Sequence, residues 1–116
     1  MMANPSPESI PVIASADELD AWFRDHGSTE TEHWVAFHKK SSPHFSVTLE
    51  ELIDVGFCHG WVDNKGIRVD EQLRALRFTP RRPKSNWSER NRARVRQLIA
   101  DGRMQPAGLA RLPDDL

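Results

Sequence analysis

Tyrosine is absent from this chain of 116 residues, and cysteine occurs once, at Cys58. A single cysteine excludes an internal disulfide and fits a reducing compartment. No run of roughly 18 apolar residues exists, so no segment reads as a membrane-spanning helix. The opening MMANPSPESIP, Met1 to Pro11, has neither the basic start nor the apolar core of a signal peptide. These absences predict a soluble cytoplasmic protein. Residues 1–14 read as a disordered lead-in with three prolines, and residues 113–116 as a short tail. Internal repeats and low-complexity tracts are also missing. There is no glycine-rich phosphate loop, no GxSxG elbow and no HExxH. His26, His33, His38, His44 and His59 have no zinc-like spacing and no cysteine pair to join them. No metal and no cofactor is therefore implied.

What is present is a set of large anchors, four Trp and five Phe, in a length that suits one domain. The net charge of −1 conceals an asymmetry. Residues 1–60 carry three basic groups (Arg24, Lys39, Lys40) against ten acidic ones, whereas residues 61–116 carry thirteen basic against seven acidic. Either the basic half forms a face that attracts anions, or the two halves pair with each other.

The patterning alternates between helical and extended periods. Ser15 and Glu18 make a capping-box pair ahead of the stripe Leu19, Trp22, Phe23, and Gly27 stops that helix. His33 to Lys39 is aromatic and β-branched with apolar groups on both faces, a strand covered on both sides. A loop with Pro43 follows. Thr48 and Glu51 repeat the capping box before Leu49, Leu52, Ile53, Gly56 and Phe57, where Gly56 on the apolar stripe implies a close approach. Asp63-Asn64-Lys65-Gly66 resembles a turn. Ile67 to Val69 and Ala75 to Thr79 suit a hairpin around Asp70-Glu71-Gln72, ended by Pro80 and Pro83. A helix starting near Ser85 or Asn86, with Asn86 and Glu89 as its cap pair, runs to about Ala100 before Gly102. MQPAGL opens a further helix with Pro106 in its first turn. The predicted class is a single α+β domain over residues 15–112, a small antiparallel sheet of three or so strands packed against helices.

The segment RFTPRRPKSNWSERNRARVRQLI, Arg77 to Ile99, concentrates the candidate chemistry. At about 100° per residue, Asn91, Val95, Leu98 and Ile99 share one face with Trp87 at its edge. Arg90 and Arg94 then flank that face on one side and Arg92 and Arg96 on the other, as snorkelling surface groups. Arg77, Arg81, Arg82 and Lys84 differ, because they lead into a helix N-terminus where backbone donors favour an anion. Guanidinium groups grip phosphate or carboxylate through paired donors. Trp87 either offers a stacking platform or anchors the helix in the core. In FCHGWVD, Phe57 to Asp63, a Cys58–His59 nucleophile is disfavoured, since neighbours in sequence rarely bring sulfur and imidazole together. Cys58 would also face Glu51 and Asp54, whose charge raises a thiol pKa. Asp63 is either an acid–base group or a partner for Arg81 or Arg82. Glu50 and Glu51 read as solvated charge.

Four blocks in order, Thr48-Leu49-Glu50-Glu51, FCHGWVD, RFTPRRPKSNWSERN and GRMQPAGL, resemble the YdeI/OmpD-associated family, whose members are often labelled bacteriocin-protection proteins. The resemblance spans Asp17 to Leu109. Its pattern falls here on Cys58, Gly60, Trp61, Asp63, Arg77, Pro80, Arg81, Arg82, Ser85, Trp87, Ser88 and Asn91. It implies a small bacterial protein linked to stress or bacteriocin tolerance. Family members commonly continue into a helical C-terminal region that this sequence lacks, so it is a short member or a partner supplies that surface.

The functional expectation is a non-enzymatic binding domain whose site comprises Arg77, Arg81, Arg82, Ser85, Trp87, Asn91 and Trp61. Its ligand is a small anion, such as a phosphorylated metabolite, or a nucleic acid. Two alternatives stand beside it. One is an enzyme on a small anionic substrate with His59 or Asp63 as acid–base group, Cys58 being the weakest catalytic candidate. The other is a homo-oligomeric interaction domain.

Overall fold

The computed structural model describes residues 4–82 and 86–116, so Pro83, Lys84 and the candidate ligand residue Ser85 lie outside the described residues. Helix α1 (Ala16–His26) opens on the expected cap, with Ser15 Oγ accepting the Glu18 N–H at 3.3 Å. Strand β1 (His33–His38) follows, then helix α2 (Leu49–Cys58), whose Thr48–Glu51 capping box is complete in both directions. Strands β2 (Trp61–Arg68) and β3 (Leu73–Pro80) form a hairpin. Asp70 holds its turn by accepting the Gln72 and Leu73 N–H groups at 2.7 and 2.8 Å. Helix α3 (Glu89–Ala100) and the short α4 (Pro106–Leu109) complete the chain.

The three strands are ordered β1-β3-β2, antiparallel at both pairings, so the α+β class is as the sequence predicts. Strands β1 and β2 consequently run the same way with β3 inserted between them. Alternation of side chains then builds two different faces. On the inner face Val35, Phe37, Trp61, Leu76 and Phe78 meet Leu19 and Phe23 of α1 and Leu52 and Val55 of α2. On the outer face Trp34, Ala36 and Ala75 form a smaller cluster, with Ile67 and Val69 at its margin. A third cluster, Phe57, Cys58, Val95 and Leu98 with Trp87 beside it, fastens α3 to α2. Gly56 permits the close approach of α2 to the sheet. A Cβ there would lie 2.9 Å from Phe78 Cε1 and 3.2 Å from the Trp61 carbonyl oxygen.

The end of the segment before α1 packs on the sheet: Ile10 and Ile13 are buried, and Val12 bridges Ala36 in parallel. The backbone bonds Ile13 N–H to Ala36 O and Ala36 N–H to Pro11 O, both 2.8 Å, satisfy the free edge of β1 at Ala36. Three expectations are corrected. Asp63 to Gly66 is not a turn but the middle of β2, because β3 offers pairing along its whole length. The extra residue, Asn64, is absorbed as a bulge between Asp63 and Lys65. Helix α3 is capped not by Asn86 but by Ser88, whose Oγ accepts the Asn91 N–H at 3.1 Å. Ile99, expected on the buried stripe, is 41% exposed, and Val95 and Leu98 carry the contact instead.

Candidate functional site

The alternation of β2 and β3 divides the residues that the sequence groups together. On the outer face Val62 pairs with Thr79, and the bulged Asn64 reaches Thr79 and Arg77 through its side chain, whereas Trp61 and Asp63 pair with Pro80 and Phe78 on the inner face. Two clefts follow from this, one on each side of the strand.

The outer cleft, about 730 Å³, is lined by Arg77, Arg81, Arg82 and Arg111 together with Thr31 and Thr79. Arg77 is partly neutralised: its Nε donates to Glu32 at 2.7 Å and its Nη1 to Asn64 at 3.1 Å. Arg81 is different. It is only 6% exposed, yet no carboxylate among the described residues lies within ion-pair distance of it. Its guanidinium lies 3.9 Å from the centre of the Trp87 ring, and Nη2 donates to the Asn86 carbonyl at 2.6 Å. Its Nε and the indole Nε1 of Trp87 are buried donors without an acceptor among the described residues. Burial alone pushes the Arg81 pKa below its ordinary value.

Gly60 organises this end of the sheet. Its carbonyl accepts the Arg81 N–H at 2.8 Å, and its own φ of 79° suits glycine. A Cβ at this position would meet the Ala107 carbonyl oxygen at 2.7 Å and Arg111 Cγ at 2.9 Å. The missing side chain lets α4 close in, and Arg111 then donates through Nη1 to the Arg81 carbonyl. Arg111 lies some 30 residues beyond Arg81 in sequence, so no local spacing marked it as part of the site.

Trp87 packs between Phe57, ring centres 5.8 Å apart, and Arg81, so it anchors the start of α3 and lines neither cleft. Trp61 is 2% exposed within the main core, between Trp22 and Phe23, and offers no ligand surface. Asn91 and Asp63 belong to the other cleft. That inner cleft, about 780 Å³, runs between α2 and α3. Arg94 does not snorkel as expected: its Nε donates to the buried Asp54 at 2.6 Å, and its Nη2 grips the second carboxylate oxygen. Arg92 pairs with Asp115 at 3.2 Å.

The catalytic candidates separate as well. His59 is committed to Asp20, Nε2 to Oδ1 at 2.7 Å, and lies against the Phe23 ring. Cys58 is buried in the α2–α3 contact, where burial, more than the charge of Asp54, pushes its thiol pKa up. It therefore lacks the electropositive, accessible surroundings of a nucleophile. Asp63 is half-buried and lines the inner cleft, and no ion pair joins it to Arg81 or Arg82. Burial raises its carboxyl pKa, opposed only by its own backbone N–H.

The fold and its clefts define a small α+β domain with two unlike concave surfaces. The chain belongs to a family defined as a domain of unknown function, DUF8412, which it matches over residues 12–111. No curated protein and no solved structure matches it. Among the described residues no helix is long and apolar enough to cross a membrane, and no group of three or more His, Cys, Asp or Glu side chains gathers as a metal site would need.

Proposed function

We propose that this protein is a non-enzymatic binding domain that accepts an anion in the outer arginine cleft. One observation carries the reading: Arg81 is buried in the cleft wall and, among the described residues, its Nε has no acceptor and no carboxylate balances its charge. A desolvated cation without a counter-ion is costly, and an anionic ligand removes that cost. Arg77, Arg82 and Arg111 add positive potential around it, and Thr31 and Thr79 add hydroxyl groups. The volume of about 730 Å³ suits a small phosphorylated compound. The resemblance to the YdeI/OmpD-associated family gives this proposal its setting, a small cytoplasmic bacterial protein of stress or bacteriocin tolerance. An enzyme would have to use Asp63 in the opposite cleft, since His59 is occupied by Asp20.

The test is a titration with inorganic pyrophosphate, followed by NMR at the Arg side-chain Nε–H groups and the backbone of β3. Arg81 Nε–H should shift, and Arg82→Ala should weaken binding roughly tenfold. Arg81→Met should keep the fold, because a buried charge exchanged for an apolar group of similar length is tolerated, and should abolish the shift. Pyrophosphate that leaves Arg81 undisturbed at low salt, or that binds Arg81→Met as well as the parent, ends the proposal. A single-stranded oligonucleotide titrated across salt separates the two ligand classes, since contacts to several phosphates impose a steep loss of affinity with salt.

A further inference from the structure

The inner cleft carries an inference of its own, independent of the arginine site because it lies on the other face of β2. One wall is apolar, formed by Leu49, Ile53 and Phe57 of α2 facing Ala93 of α3. At its sheet end stand Asp63 and Asn91. Its lining carries three acids and two arginines. Arg94 is held by both oxygens of Asp54, so these two charges balance each other. Glu50 and Arg90 are both exposed at the rim and opposite in sign. Asp63 remains, half-buried, with no side-chain donor within reach among the described residues.

We infer that the α2–α3 cleft binds an organic cation with a flat apolar body, an aryl amidinium or guanidinium whose paired N–H donors fork onto the Asp63 carboxylate. Two parallel N–H···O bonds to one carboxylate are the strongest pairing available to such a group. The aryl portion rests along Ile53 and Phe57, and the Asn91 amide lies beside the polar head to hydrogen-bond it. A bare metal ion does not suit the cleft, because no second and third hard ligand join Asp63 among the described residues. Binding should also couple to pH. Burial favours the neutral acid at Asp63, and a bound cation favours the carboxylate, so complex formation releases a proton and tightens as pH rises through the Asp63 titration.

Benzamidine is the probe, with benzoate as its charge-reversed counterpart, each titrated into the full chain and followed by backbone amide NMR. Benzamidine should shift the amides of Ile53, Phe57, Asp63 and Asn91, and benzoate should not. Asp63→Asn, nearly isosteric, should weaken benzamidine roughly tenfold or more. Ala93→Trp, on the exposed side of α3, should fill the cleft and block binding whatever Asp63→Asn does to the fold. Benzoate binding better than benzamidine, or benzamidine shifts that survive both substitutions, would overturn the assignment. The pyrophosphate response at Arg81 reports on the other face, so failure here leaves that result readable.

Discussion

The imidazole of His33 gives the sharpest prediction of pH-dependent stability. It stands at the start of β1, stacked on Trp22 with ring centres 3.6 Å apart and planes 8° from parallel. Trp22 in turn has His26 on it, 5.5 Å away. Burial first, and the charge of His26 second, lower the His33 pKa from 6.5 to about 4. The sign follows from linkage. Between those values the unfolded chain binds a proton that the folded one does not, so stability falls as pH drops from about 6.5 to about 4 and this contribution then levels off. At full strength that displacement corresponds to about 3 kcal/mol. His33 is only half-buried, and solvent screening brings the expected loss to about 1–2 kcal/mol. Urea unfolding followed by tryptophan fluorescence, at pH 7 and pH 4, measures it against His33→Phe, which keeps the stack and cannot titrate. All other ionisable groups are common to the two proteins, so their difference isolates the imidazole. At pH 4 the variant should gain about 1–2 kcal/mol relative to the parent, near 1 M in urea midpoint for a small domain. Identical pH dependence in the two proteins, or a His33 ring signal titrating near pH 6.5, would refute the reasoning.

Two further substitutions test the packing that positions the clefts. Gly56→Ala gains about 1 kcal/mol of helix propensity but drives a methyl into Phe78 at 2.9 Å, so a net loss of about 1–2 kcal/mol is expected in thermal or urea unfolding; a stabilised variant would mean that α2 can back away from the sheet. Arg94→Ala strands the carboxylate of Asp54, whose side chain is 9% exposed, and should cost about 2 kcal/mol once the exposure of Arg94 is discounted. Adding Asp54→Asn should then recover part of that loss, and a double variant no more stable than the single one would deny that the stranded charge is the cause.

Local signals carried much of the fold. The caps at Ser15 and Thr48 are written within four residues, and the Asp70 turn needs only its own carboxylate and two N–H groups, so each was legible without tertiary knowledge. The misreadings share a cause, which is that a distant partner decided. Asp63-Asn64-Lys65-Gly66 has turn composition, but β3 lies alongside and pairs with it. Asn86 is a good capping residue, yet its carbonyl receives Arg81 and Trp87 stays outside the helix to pack on Phe57. Ile10 and Ile13 are too few to show a period, and tertiary packing decides their burial: Ile10 joins the outer cluster of Trp34, Ala36 and Ala75, and Ile13 joins the inner core.

The site was legible as a list of residues and illegible as an arrangement, and strand alternation explains why. Adjacent positions in β2 point to opposite faces, so Trp61-Val62-Asp63-Asn64, one motif in sequence, distributes itself between two surfaces. The charge asymmetry resolves in the same geometry. The pairing of the two halves is visible in two arginines: Arg77 and Arg94 from the basic half reach Glu32 and Asp54 of the acidic half. Arg81 reaches no carboxylate among the described residues, and its buried Nε has no acceptor among them. Asp63 is its counterpart on the inner face, a half-buried acid without an ion-pair partner among the described residues. No ion pair joins the two groups, because they line different clefts. The ligands of opposite sign that we propose for them are therefore separate events, and a substitution at one group leaves the other cleft intact as its control.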